Sequence, residues 1–353
     1  MSGEPEILFD RRGTAGQITL NRPKALNALT PNMAHLLTVQ LKEWAQDDAI
    51  TRVVISAAGE RAFSAGGDIR TITELGRAGR YKEMLDFWRE EYALNALIKS
   101  YRKPYVALID GIVMGGGVGI SVHGSHRVAG DRYMFAMPEV GIGFFPDVGA
   151  TWFLPRMPGE LGTYCSLTGE RFNAADGVSA KIATHRVPSA KFAELSEALC
   201  TAVPVDAVLA AFAQPIDEAP TAARRSTIDR LFAGGQVEDI LSALDREAGA
   251  GTADAKFAAD MAAIIRTKSP TSLKLAMAQV RAGRDMTFEA CMRTEFRIVS
   301  RIIHGHDFYE GVRAVIVDKD NAPNWRPAAL AEVTRAEVER HFAPLGGEEL
   351  VLP

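Results

Sequence analysis

Two carboxylates stand eight positions apart in one apolar, glycine-rich stretch: Glu139 and Asp147 in MPEVGIGFFPDVGATWFLP, residues 137–155. Burying an ionised carboxylate without a partner costs several kcal/mol or drives its pKa upward. Acids set among Met, Phe, Ile and Val are therefore either satisfied structurally or used, and a Glu/Asp pair suits nucleophilic or acid–base work at a carbonyl. Two further segments offer the electrophilic help such work needs. AFSAGGDIR (62–70) follows a strand expected at 52–57, and GIVMGGGVGIS (111–121) follows one expected at 105–109. Glycines at these turns let a ligand approach bare backbone, and the N–H groups at the following helix start have no partner of their own. One such loop reads as a tight turn. Two, each at a strand end, can aim two donors at a single oxygen, which is the geometry of an oxyanion hole.

Other motif readings fail on spacing. GGGVG is not G-x-G-x-x-G, no acid follows at a strand end about twenty residues on, and no P-loop is present. GISVHG holds Ser121 but is not the G-x-S-x-G of a hydrolase elbow. His123, His126 and His185 read as packing or surface groups. HGHD at 304–307 lacks a further ligand cluster, so no metal is expected.

The elements that must position these residues follow from local pattern. EILFDRRGTAGQITLNRP reads as a hairpin stopped at Asn21-Arg22-Pro23. Thr30 is an N-cap with Pro31 at the first position of an amphipathic helix. TRVVISAAG is a buried strand, and YKEMLDFWREEYALNALIKSYRKP is a long helix ending before Pro104. YVALIDGIVMGGGVGISVHGSHRVAG reads as strand, glycine turn, helix and strand. Beyond about Pro188 the chain becomes Ala-rich helix, with two more helices after Ser269. The expected organisation is an α/β core over residues 1–190 and a helical region over 191–353.

The bulk numbers fit a globular protein. Of 353 residues 47% are hydrophobic and 24% charged, and the net charge of −4 argues against a nucleic-acid binder. Cys165, Cys200 and Cys291 lie far apart without a CxxC pair, as free thiols in a reducing compartment do. The start, MSGEPEILFDRRG, has neither an apolar signal core nor transit-peptide character, and no window is apolar enough to span a membrane. The expectation is a cytoplasmic protein without membrane or nucleic-acid partners.

Together NRPKALNAL, AFSAGGDIR, GIVMGGGVGIS and MPEVGIGFFPDVGAT resemble the landmarks of the crotonase (enoyl-CoA hydratase/isomerase) superfamily. KSPTSLKLAMAQV, FEACMRTEFRI and HGHDFYEGVRAVIVDKDNAPNWRP are similar to its 3-hydroxyisobutyryl-CoA hydrolase branch. The resemblance covers nearly the whole chain, weakest at about 190–260. It implies an α/β fold, a spiral of ββα units in two near-perpendicular sheets, with a helical C-terminal region. It implies an acyl-CoA thioester substrate, with CoA part of that substrate and no separate cofactor, and a trimer, hexamer or monomer.

By the same resemblance the Gly67 and Gly116 N–H groups hold the thioester oxygen. Arg22, Lys24 and Ala25 of RPKALNAL, and Ala65, Gly66, Asp68 and Ile69 of SAGGDI, fall in the segments that take CoA. Arg22 and Lys24 are then candidates for its phosphates, and Asp68 also reads as a helix cap. Hydratases of the superfamily carry a catalytic Glu three residues past the oxyanion glycine. Here that position is Gly119, while Asp147 stands where hydratases have a small residue. The resemblance thus implies hydrolysis in valine breakdown. Glu139 is nucleophile or base, Asp147 binds the substrate hydroxyl or protonates the leaving thiolate, and Glu91 contacts the hydroxyacyl group unless it lies on an exposed helix face. A hydratase/isomerase and a non-catalytic acyl-CoA-binding subunit are the alternatives.

Overall fold

In the computed structural model, which describes residues 4–352, the expected hairpin forms: β1 (Ile7–Arg12) pairs antiparallel with β2 (Ala15–Leu20). From β2 onward every strand pairing is parallel. The hairpin joins β3 (Arg52–Ala57), β5 (Tyr105–Ile109), β7 (His126–Ala129) and β9 (His185–Arg186) in one six-stranded sheet of order β1-β2-β3-β5-β7-β9. A second sheet holds only β4 (Ala62–Ser64), β6 (Ile112–Met114) and β8 (Met134–Ala136). The chain crosses from the first sheet to the second three times, β3 to β4, β5 to β6 and β7 to β8, which generates the expected spiral.

Two details differ from the local reading. Each glycine turn follows a three-residue strand of the second sheet rather than the longer strand before it, and the helix after the second turn, α4 (Gly116–Gly119), is four residues long. Segments this short carry no periodicity of their own; neighbouring strands fix them. The other helices begin where their caps say. Thr30 accepts from the Met33 N–H at the start of α1 (Pro31–Gln46). Asp68 accepts from the Thr71 N–H at the start of α2 (Ile69–Arg77).

α3 (Tyr81–Lys99) buries Met84, Phe87, Trp88, Glu91, Tyr92, Asn95 and Ile98, a stripe at helical spacing that contains an acid. β3 and β5 are apolar on both faces because both faces are covered. On one side helices Phe192–Ala198 and Val205–Phe212 lay Leu195, Leu199 and Leu209 on Val54, Val106, Leu108 and Val128. The other side belongs to a core that runs from Ile7 to Leu350 and takes in helices Pro270–Ala282 and Phe288–Ile302. The helical C-terminal part thus completes the interior of the α/β part.

Candidate active site

The two glycine turns meet. Gly66 (φ +111°) and Gly115 (φ +46°) take backbone conformations that a side chain would strain. These bends present the next N–H in each turn, and a Cβ added to Gly116 would sit 3.3 Å from the Gly67 nitrogen. Among the described residues neither the Gly67 nor the Gly116 N–H donates to a protein acceptor. Two adjacent, unspent backbone donors can stabilise charge on one oxygen.

They line a cavity of about 650 Å³. Ten of the twelve residues singled out from the sequence lie on its wall: Ala25, Ala65, Gly66, Gly67, Asp68, Ile69, Glu91, Gly116, Glu139 and Asp147. Arg22 and Lys24 do not. Arg22 is held by Glu6 at 3.2 Å and by Asp68 at 3.1 Å, and Lys24 is exposed. Arg70 and Lys268 are the cations on the wall. Phe87, Trp88 and Phe144 supply an apolar side, with Trp88 stacked on Phe144 at 5.6 Å between centroids.

Of the four carboxylates on the wall, Glu91, Glu139 and Asp147 are buried. Glu139 opens a 3-10 turn, Glu139–Ile142, behind Pro138, and its Oε2 has no hydrogen-bond partner. Burial first, and Asp147 second, hold its carboxyl well above the usual carboxylate range. Glu91 stands on the buried stripe of α3, not on an exposed face. Its Oε1 lacks a partner, and burial together with Asp147 drives its pKa well up. Hypothetical side chains locate both acids: a Cβ on Gly115 would lie 3.4 Å from Glu139 Oε1, and one on Gly116 would overlap Glu91 Oε1. The two acids therefore flank the oxyanion turn, and the glycines are the space they occupy.

Asp147 is held differently. The Tyr92 hydroxyl donates to its Oδ2 at 2.8 Å, which lowers its pKa, but burial outweighs this and the carboxyl is raised. Three buried acids within electrostatic reach cannot all ionise, so they titrate together and share protons rather than all carrying charge at once.

The turn after Asp147 is strained. Val148 is β-branched with φ +53°, a conformation that costs on the order of 1–3 kcal/mol and persists only where its surroundings enforce it. Those surroundings are a clamp. Glu295, fully buried on helix Phe288–Ile302, accepts from the Gly149 N–H at 2.7 Å and the Thr151 N–H at 2.8 Å. The two donors lie at the start of α5 (Ala150–Phe153). Burial still pushes Glu295 up to about 8. His123 Nε2 lies 2.7 Å from the Val148 carbonyl, which as an acceptor requires the ring N–H there, and Gln279 Nε2 donates to Pro146 O at 2.5 Å. Burial drops His123 to about 3, so its ring is neutral at physiological pH.

Sequence reasoning missed this clamp. Glu295 lies inside FEACMRTEFRI but was given no role there, His123 read as packing, and Tyr92 could have been found only by noticing its place beside Glu91 on the same apolar stripe. Among the described residues no group of three or more His, Cys, Asp or Glu is arranged to hold a metal.

Residues 15–342 match a family model described as enoyl-CoA hydratase/isomerase. A curated relative, the mitochondrial 3-hydroxyisobutyryl-CoA hydrolase of Danio rerio, is 46% identical over 98% of this chain and 92% of its own length. The protein of that name from Homo sapiens is 44% identical over 98% and 90%. A crystal structure of a carnitinyl-CoA dehydratase from Mycobacterium thermoresistibile superposes with a TM-score of 0.93 at 44% identity, covering 99% of both chains. One of an enoyl-CoA hydratase from Rhodobacter sphaeroides gives 0.91 at 37%, over 99% of this chain and 100% of the other.

Proposed function

The chain belongs to the enoyl-CoA hydratase/isomerase family, and we propose that within it the chain hydrolyses 3-hydroxyisobutyryl-CoA to 3-hydroxyisobutyrate and CoA. It is an acyl-CoA thioester hydrolase. The observation that carries this reading is the space at Gly119. A hydratase of this superfamily needs a glutamate there, but a Cβ at 119 would stand 2.8 Å from both Asn95 Nδ2 and Val148 Cβ. The strained turn that presents Asp147 fills the volume the second hydratase carboxylate would need. A hydratase or a purely binding role is not favoured, whatever the dehydratase and hydratase names of the superposed structures say of those proteins.

Buried acids beside two free N–H donors support the following sequence. The thioester oxygen accepts from Gly67 and Gly116. Glu139, ionised while its neighbours keep their protons, attacks the carbonyl carbon, and the C–S bond breaks as Asp147 gives its proton to the thiolate. The mixed anhydride on Glu139 is opened by a water whose proton returns to Asp147, which restores both groups and releases the hydroxy acid. Removing one oxyanion donor from comparable sites costs about 10²–10³ in rate. Glu91, with its unpartnered Oε1, is suited to the substrate 3-hydroxyl. Arg70 and Lys268, on the cavity wall, are better placed for the CoA phosphates than Arg22.

No separate cofactor enters this scheme. Val315, Ile316 and Asn321 of the same chain close the cavity wall, which favours a site complete in one protomer; sedimentation measures the assembly. On that substrate class we assign the step to valine breakdown. We keep the cytoplasmic location as our reading; the relatives' names say mitochondrial, and fractionation separates the two. Single-turnover hydrolysis in heavy-oxygen water tests the route. Label in Glu139 after turnover marks an anhydride opened at the glutamyl carbonyl, and trapping of an acyl-Glu139 adduct with hydroxylamine separates an anhydride opened at the acyl carbonyl from direct water attack. Absence of thiol release from 3-hydroxyisobutyryl-CoA would overturn the reading altogether.

A further inference from the structure

A second cavity, of about 400 Å³, lies between the end of α3, the His123–Arg127 segment, the Trp152–Met157 segment and the Ala180–Ile182 loop. Its wall carries four cations, Lys99, Arg127, Arg156 and Lys181, and no carboxylate. Among the described residues none of the four forms an ion pair, in a chain whose net charge is −4 and whose other cations are widely paired.

Three of the four heads are fixed from behind. Arg127 spends three of its five N–H donors on the Ile182, Gly124 and Lys181 carbonyls at 2.8, 2.8 and 3.3 Å. Arg156 is anchored on four carbonyls, among them Trp152 at 2.7 Å and Met286 at 3.0 Å. Lys99 Nζ and the Arg156 guanidinium both stack on Trp152, at 3.9 and 4.7 Å from its ring centroid. Carbonyl dipoles and an indole face hold cations in place without cancelling their charge. The repulsion is felt: burial, then Arg127 and Arg156, push the Lys99 ammonium below its ordinary range, with no carboxylate countering them.

A concave site lined by one sign of charge focuses its field and concentrates counter-ions. The preset Arg127 guanidinium keeps two N–H groups to spare and Arg156 keeps its Nε–H; with the two lysines they match phosphate oxygens, and the volume is that of a small-ligand pocket. We propose that this cavity is a binding site for a small phosphoryl-bearing anion, separate from the thioester cavity. The four cations share none of its wall, and their convergence without any acid is what the site requires. An ester and a free phosphate present the same oxygens, so the chemistry is common to both. Its inner wall includes His123, which is bonded to the Val148 carbonyl beside Asp147.

Calorimetric titration of the full chain with inorganic pyrophosphate, at constant ionic strength, tests the proposal without reference to hydrolysis. Saturable binding is expected in the wild type and in Lys42→Gln, an exposed residue that lies elsewhere. The exposed-residue double variant Lys99→Gln/Lys181→Gln is expected to bind at least about tenfold more weakly while melting as the wild type does in the absence of pyrophosphate. Arg127→Lys, which keeps the charge but loses the planar fork, is expected to fall between them. A parallel titration with AMP tells an ester from a free phosphate. No saturable binding of either probe, equal affinity in the double variant, or a loss confined to Lys42→Gln would each overturn the proposal.

Discussion

Glu139 and Asp147 lie eight residues apart in one segment, and the molecule treats them in opposite ways. Glu139 has a buried oxygen with no partner and a short turn behind it. Asp147 is bonded to Tyr92 and sits at the head of a strained turn gripped by Glu295, His123 and Gln279. An unsatisfied buried acid is costly and therefore reactive once ionised. A satisfied acid on an enforced backbone is costly to move and therefore exact in position. The contrast assigns covalent chemistry to the first and recognition with proton transfer to the second.

The sharpest way to break this contrast is Glu139→Gln. If Glu139 forms the bond to the acyl group, the rate of thiol release falls on the order of 10³-fold or more while CoA-ester binding, followed by calorimetry, is largely kept. Near-normal turnover would remove Glu139 from the reaction and collapse the distinction.

Asp147→Ala sharpens the other side. A site that hydrogen-bonds the substrate hydroxyl loses more on hydroxyacyl than on plain acyl thioesters. The expected ratio of the two losses in kcat/KM is about 10-fold or more. Equal losses would leave proton transfer as its only role.

Glu295→Gln attacks the clamp without touching substrate. Gln offers one acceptor where the Gly149 and Thr151 N–H groups need two, so the fold should lose about 1–3 kcal/mol, read by denaturant unfolding. The pH dependence has a definite sign. Burial raises Glu295 to about 8 from an ordinary 4.5. The fold therefore binds this proton more tightly than the unfolded chain does. Its contribution is fully present below about pH 4.5 and is lost as pH rises toward 8. Glu295→Gln should flatten that decline; an unchanged slope would mean the group titrates elsewhere.

The same division marks what could be read from the sequence. Residue types that speak for themselves were legible: the paired glycine turns, the Thr30 and Asp68 caps, and Glu139 and Asp147 as acids in apolar surroundings, while Gly119 as the missing hydratase position came from the family resemblance. The small sheet was not, because three-residue strands such as β6 have no pattern of their own. Glu91 stayed divided between exposed face and site, since only the fold tells which stripe of α3 is buried. Glu295 was invisible because its role comes from a contact 146 residues away. Arg22 looked like a phosphate ligand from its turn, but Glu6 and Asp68 are near enough to claim it.

The finest test concerns the single hydrogen bond that tunes Asp147. The Tyr92 hydroxyl favours the ionised carboxylate, so Tyr92→Phe should raise the proton affinity of the acid cluster while leaving the ring packing in place. A hydrogen bond to a charged group is worth about 1.5–3 kcal/mol, or about one to two pK units. If Asp147 must hold its proton to release the thiolate, the alkaline limb of the first-turnover thiol burst moves to higher pH in the variant, with only a few-fold change near neutrality. Movement of the acid limb to higher pH, with the alkaline limb in place, would mean that the ionised form is what the step requires, and Asp147 would then act first as a base. Two unmoved limbs would detach Asp147 from the proton transfer and leave it to hydroxyl recognition alone.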